Sequence, residues 1–235
     1  MLINIFIGFT VVFFGLPLWA FLILPPANVY LQIFPSPQLT FRDSLQLKDI
    51  PPTGYEKRLV ELNGFEKKLQ NLGFEKFDEF YLQTSNDIVG YAYKHRELPI
   101  VLCNYHLETR LHCDLDTGFD NGFALTTCNA KFSSVSEIRP PNLLLQAFPD
   151  AGLEELFNRH IQSVRFLQSQ GFNILNTPIY GFREKFIQEF LEIGKKMKSL
   201  AAPVKILYLM YFGNKNKFTK TIQEQVLAKQ LQLPS

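Results

Sequence analysis

Residues 76–129 read KFDEFYLQTSNDIVGYAYKHRELPIVLCNYHLETRLHCDLDTGFDNGFALTTCN, and the period of their apolar positions decides the fold. The period is two. It is plainest where Thr109, Leu111, Cys113 and Leu115 alternate with Arg110, His112, Asp114 and Asp116. Successive strand residues point to opposite faces, so this pattern predicts one face on a core and one in water. Strands are expected near 76–84, 87–95, 99–107, 109–117 and 122–129. Ser85-Asn86-Asp87 and Arg96-Glu97-Leu98-Pro99 separate the first three. Asp120-Asn121-Gly122 closes the last pair, Asn-Gly being a hairpin signal because both residues accept positive φ. A parallel crossover needs about a dozen residues, so these short links imply a five-stranded antiparallel meander.

The period lengthens on either side. Thr53-Gly54-Tyr55-Glu56 fits a capping box, with Thr53 as N-cap and Glu56 at the third helical position. Tyr55, Leu59, Leu62, Phe65, Leu69 and Leu72 then recur three and four apart, one face of a helix that Gly73 ends. After the strands, a polar loop ends in Arg139-Pro140-Pro141. Asp150 is expected to cap a helix lined by Leu153, Phe157, His160, Val164 and Leu167, with Gly171 beyond it. On that apolar face His160 reads as a hydrogen-bonded core histidine. A second helix begins at Pro178 with the stripe Ile179, Phe182, Phe186, Phe190, Ile193, Met197 and Leu200. A third lies near 217–232 and carries Phe218, Ile222, Val226 and Leu231. The fold class is α+β, an antiparallel sheet with flanking helices.

Ahead of all this, residues 3–24 read INIFIGFTVVFFGLPLWAFLIL without a charge, and no Asp, Glu, Lys, Arg or His precedes Arg42. About 20 apolar residues span a bilayer core, so residues 1–26 are expected to be a single transmembrane anchor, kinked at Pro17. A cleavable signal peptide would show a basic n-region and small residues at the cut, and neither is present. Pro25 and Pro26 stop the helix, and 27–52 reads as a Pro-containing stalk. Arg42, Lys48, Lys57 and Arg58 follow the span while its N-terminal flank has no Lys or Arg, which places the domain on the cytoplasmic side. The domain organisation is then anchor, stalk, an α+β sheet domain over 53–171, and a helical lobe over 172–235 packed on it.

Three cysteines, Cys103, Cys113 and Cys128, exclude a disulfide-framework scaffold. They share the strand region with His106 and His112, but no spacing matches a zinc template, and strand parity sends Cys113 and His112 to opposite faces. No metal or cofactor is therefore expected. Phosphate-loop, dinucleotide, serine-hydrolase elbow and zincin motifs are absent from the sequence.

The one catalytic motif is Leu115-Asp116-Thr117-Gly118, followed by Asp120. Asp-Thr-Gly behind an apolar strand resembles the active-site turn of aspartic proteases. That resemblance implies Asp116 as the catalytic acid, with Thr117 as its supporting hydroxyl; the hydrolase alternative otherwise sets Asp114 with Asp116 on a divalent metal. It covers five residues, and Phe119 stands where that family has Ala or Ser.

Charge divides the chain unevenly. Residues 42–170 carry 14 basic and 18 acidic side chains, whereas 171–235 carry 10 and 4. Arg183, Lys185, Lys195, Lys196, Lys198 and Lys205 stand near Tyr208, Tyr211 and Phe212, a basic and aromatic surface suited to anionic lipid or a protein partner. Few arginines and a tether make nucleic acid a poor fit. The sequence thus predicts a membrane-anchored, non-catalytic binding or assembly module, with the hydrolase as its alternative.

Overall fold

A computed structural model describes residues 46–83, 87–107, 110–130, 141–176, 182–184, 186–188, 191 and 217–233. Helix α1 covers Glu56–Asn71 and stops at Gly73, whose φ of +90° suits the left-handed turn that follows a helix. Thr53 does not cap it. Gly54 turns the chain at φ +96°, Tyr55 becomes the N-cap without a side-chain bond, and the Glu56 carboxylate accepts from the Gly54 N–H.

Strands β1 (Leu47–Lys48), β2 (Phe74–Leu82), β3 (Ile88–His95), β4 (Val101–Leu107), β5 (Arg110–Gly118), β6 (Ala124–Cys128) and β7 (Leu143–Ala147) form one sheet in that order. The five expected strands are β2 to β6, antiparallel to one another in succession. The sheet is larger than expected, and it is mixed: β7 pairs parallel with β6. Its sequence, Leu-Leu-Leu-Gln-Ala, does not alternate because four of the five residues are buried, as parallel strands covered on both faces are. In the β5–β6 hairpin only Gly122 takes positive φ, while the Asn121 side chain accepts from the Phe123 N–H.

Helix α2 (Leu153–Ser169) packs with α1 on one face of the sheet, the inner face. Its N-cap is Gly152, two residues beyond the expected Asp150. It ends as expected: Gly171, at φ +88°, donates to Gln168 O and Phe172 donates to Leu167 O, the paired bonds of a Schellman cap. Leu62 and Leu69 from α1, Leu156 from α2, and Tyr93, Leu102 and Leu115 from the sheet form the main core. A second group, Leu125, Leu144, Val164, Leu167 and Phe172, continues it toward β7.

The outer face is not simply wet. Residues 182–184, 186–188 and 191 are helical, and Phe182, Phe186, Ile187 and Leu191 pack on Phe80, Leu82, Ile88, Ala92 and Cys103. A bulge between Lys76 and Asp78 makes this possible. The extra residue lets Phe77 and Asp78 both face outward, where Phe77 meets Phe182 edge-on at 5.4 Å.

The third expected helix is shorter than its stripe. A 3₁₀ turn at Lys217–Thr219 leads to α3 (Ile222–Leu227), capped by a Thr221–Glu224 box, and Lys229 at φ 55° turns the chain away. This segment lies along the free edge of β7, with Phe218 on the outer side and Ile222 on the inner.

Among the described residues no helix is long and apolar enough to cross a membrane. The expected anchor and residues 27–45 of its stalk lie outside them, while Leu47–Lys48 of the expected stalk is strand β1 of the sheet.

Candidate functional site

Strand register sets the polar groups of the outer face in rows. Cys103 on β4 lies opposite Asp114 on β5, and Asp114 lies opposite Cys128 on β6. One row along, Val101, Asp116 and Thr126 are opposed in the same way. Asp114 and Asp116 therefore share a face, as their spacing requires. The Tyr105 hydroxyl donates to Asp114 Oδ2 at 2.8 Å. Asp114 Oδ1 is closed off from solvent and has no hydrogen-bond partner among the described residues. Burial pushes the Asp114 carboxyl up to about 6, and the Tyr105 bond opposes that only partly.

Asp116 Oδ1 accepts from Thr126 Oγ1 at 2.5 Å. A cavity of about 100 Å³ opens beside it, lined by Val101, Cys103, Asp116 and Thr126 with Phe182 and Phe186 as its roof. The Asp-Thr-Gly tripeptide is ladder-paired strand here, not a turn. Alternation carries Thr117 to the opposite face, so it cannot support Asp116; Thr126 on the neighbouring strand supplies the hydroxyl.

The cysteines divide between the faces. Cys103 and Cys128 are on the outer one and Cys113 is on the inner one. Burial first, and the charge of Asp114 second, push the Cys113 and Cys128 thiols well up, so both stay protonated and are poor nucleophiles. His112 stacks on Tyr105 at 5.6 Å. Among the described residues no group of three His, Cys, Asp or Glu could hold a metal.

A second polar constellation sits inside the core. His160 is fully buried, with Thr117 Oγ1 2.9 Å from Nε2 and Thr127 Oγ1 2.7 Å from Nδ1. A neutral imidazole has one donor and one acceptor, so one threonine gives a proton and the other takes one. Gln146 extends the chain: its Nε2 donates to Thr127 Oγ1 at 2.7 Å, and its Oε1 accepts from Ser163 Oγ at 2.8 Å and from the Ile222 N–H at 3.1 Å. Burial lowers the His160 pKa to about 3. Sequence reasoning placed His160 but missed the network around it. The available signals were Ser163, one turn on along the same stripe, and Gln146, a lone amide in an apolar run.

No family model, curated protein or solved structure matches this chain. Its chemistry is read from its own geometry.

Of the surface expected for a partner, the described residues include Arg183. It faces inward to the protein: its guanidinium donates to Asp78 Oδ2 and Oδ1 at 2.8 and 2.7 Å, to Asp49 Oδ1 at 3.1 Å and to Glu79 O at 2.8 Å. These bonds raise its pKa further and occupy its fork, so Arg183 clamps its segment to the sheet edge. Lys185, Lys195, Lys196, Lys198, Lys205, Tyr208, Tyr211 and Phe212 lie outside the described residues. Near α1, His106 Nε2 is 3.2 Å from Glu61 Oε2, and burial outweighs that carboxylate in lowering the His106 pKa.

Proposed function

We propose that this chain is a single-pass, membrane-anchored binding or assembly module without a catalytic apparatus. The observation that carries the reading is the internal engagement of its chemistry-bearing side chains. Asp114 bonds Tyr105, Asp116 bonds Thr126, His160 bonds two threonines, and Arg183 bonds two aspartates. None of these arrangements pairs a nucleophile with a base beside open solvent. The uncharged run at 3–24 supports an anchor, and the Lys and Arg residues after it support a cytoplasmic domain.

The working surface in this reading is the basic segment with Lys185, Lys195, Lys196, Lys198 and Lys205 beside Tyr208, Tyr211 and Phe212. Each lysine near an anionic leaflet contributes about 1 kcal/mol, so a few of them hold a lobe against the membrane. Protease protection of the full chain in oriented vesicles, with a tag after Ser235, tests the topology. Tag loss from the cytoplasmic face is expected; protection from that face overturns the orientation. Flotation of the reconstituted chain with a second population of vesicles tests the surface. Capture by phosphatidylserine vesicles that high salt reverses is expected, and equal capture by neutral vesicles defeats the lipid reading.

A second reading, a membrane-tethered hydrolase of aspartic-protease type, draws support from Asp116 at the cavity wall. An Asp116→Asn chain that folds and keeps the cellular phenotype removes it.

A further inference from the structure

The cavity beside Asp116 has a roof, and Arg183 fastens the roof to the sheet. Phe182 and Phe186 line the cavity and lie tilted against Phe80 at 6.1 and 5.4 Å. Between them in sequence, Arg183 reaches sideways to the sheet edge, where Asp78, Asp49 and the Glu79 carbonyl receive its fork. That receptor exists because of the β2 bulge. In a regular strand Phe77 and Asp78 would point to opposite faces; the extra residue turns both toward the same helical segment, one as a ring contact and one as an ion pair. Bulges that re-aim side chains in this way are built features of a sheet.

We propose that the helical residues 182–184, 186–188 and 191 are a latched cover over the carboxylate-bearing outer face, and that Arg183 is the latch. Two properties fit a releasable fastening better than a permanent one. The cluster stands at the rim: Asp78 is 20% exposed, but Arg183 is 33% and Asp49 92% exposed, so water and salt reach it. The covered ground also holds two carboxyls, Asp114 and Asp116, the latter on a cavity wall, whereas the polar groups around His160 on the inner face bond one another. With the latch open, the cavity, Asp116 and the Cys103 thiol meet solvent while α1 and α2 stay on the inner face.

The cysteines give the test a built-in reference. Cys103 lies under the cover, and Cys113 lies on the other face under α1 and α2. Labelling of the full-length chain in membranes with N-ethylmaleimide, read by peptide mass spectrometry, is expected to be slow at both. In Arg183→Gln, Cys103 is expected to react at least ten times faster, with Cys113 unchanged. Raising salt should speed Cys103 in the native chain and leave R183Q unaffected, and Asp78→Asn should reproduce R183Q. An unchanged Cys103 rate in R183Q overturns the latch. A parallel rise at Cys113 overturns it as well, since Arg183 would then be holding up the whole fold.

Discussion

At His160, which is buried, and Asp114, which is half-buried, the fold holds an ionisable side chain away from its ordinary behaviour, and the two act in opposite directions with pH. His160 titrates near 6.5 when unfolded and at about 3 when folded, because burial penalises the imidazolium. The unfolded chain binds the proton more readily, so the stability His160 brings is present above about pH 6.5 and is lost as pH falls toward 3. Asp114 has its folded pKa raised to about 6 from 3.8, so its contribution is complete below 3.8 and is lost as pH rises through 6. Urea unfolding across pH 3 to 8 separates the two. His160→Gln should lower stability at pH 7 by about 1–3 kcal/mol, through unpaired Thr117 and Thr127, and flatten the acid limb of the profile. Asp114→Asn keeps an acceptor for Tyr105 and removes the buried charge. It should raise stability at pH 7.5 by about 1–3 kcal/mol and bring no gain below pH 4.

Among the elements, strand β3 shows how closely the outer face is built. A Cβ at Gly90 would stand 2.6 Å from Tyr105 Cβ, 2.7 Å from Phe80 Cζ and 3.0 Å from Asn104 O. Phe80 cannot retreat freely, since Phe182 and Phe186 lie against it. Gly90→Ala should cost about 2 kcal/mol, measured as a lowered denaturant midpoint at constant m-value. The same strands show what was legible in the sequence. Strands β2 to β6 were readable because alternation reports a face difference and short polar links report antiparallel pairing. β7 was not, because a strand covered on both sides does not alternate. Its parallel pairing comes from a long link that looks like a plain polar loop. At the site, spacing placed Asp114 and Asp116 on one face. It could not show that Thr126 bonds Asp116, a matter of register between two strands, nor that the β2 bulge turns Asp78 toward Arg183.

For the whole molecule, the C-terminal segment is what completes the sheet. Gln225 Nε2 donates to Leu145 O at 2.9 Å on the free edge of β7, while Ile222 is fully buried in the core beneath it. Ile222→Ala should cost about 2–4 kcal/mol in thermal or denaturant unfolding, a large loss for so short a terminal helix. Hydrogen exchange should then rise along β7 before it rises along β3 and β4. The edge arrangement also has a meaning in time. Strands β3 to β6 each pair with the strand made just before, so a nascent chain can zip them in order. Gln146 must wait for Ile222, 76 residues later. At ribosomal speeds of about 5–20 residues per second that is roughly 4–15 s, during which an apolar strand has one side unsealed. During synthesis, that interval is when this chain most needs a chaperone at its newest edge.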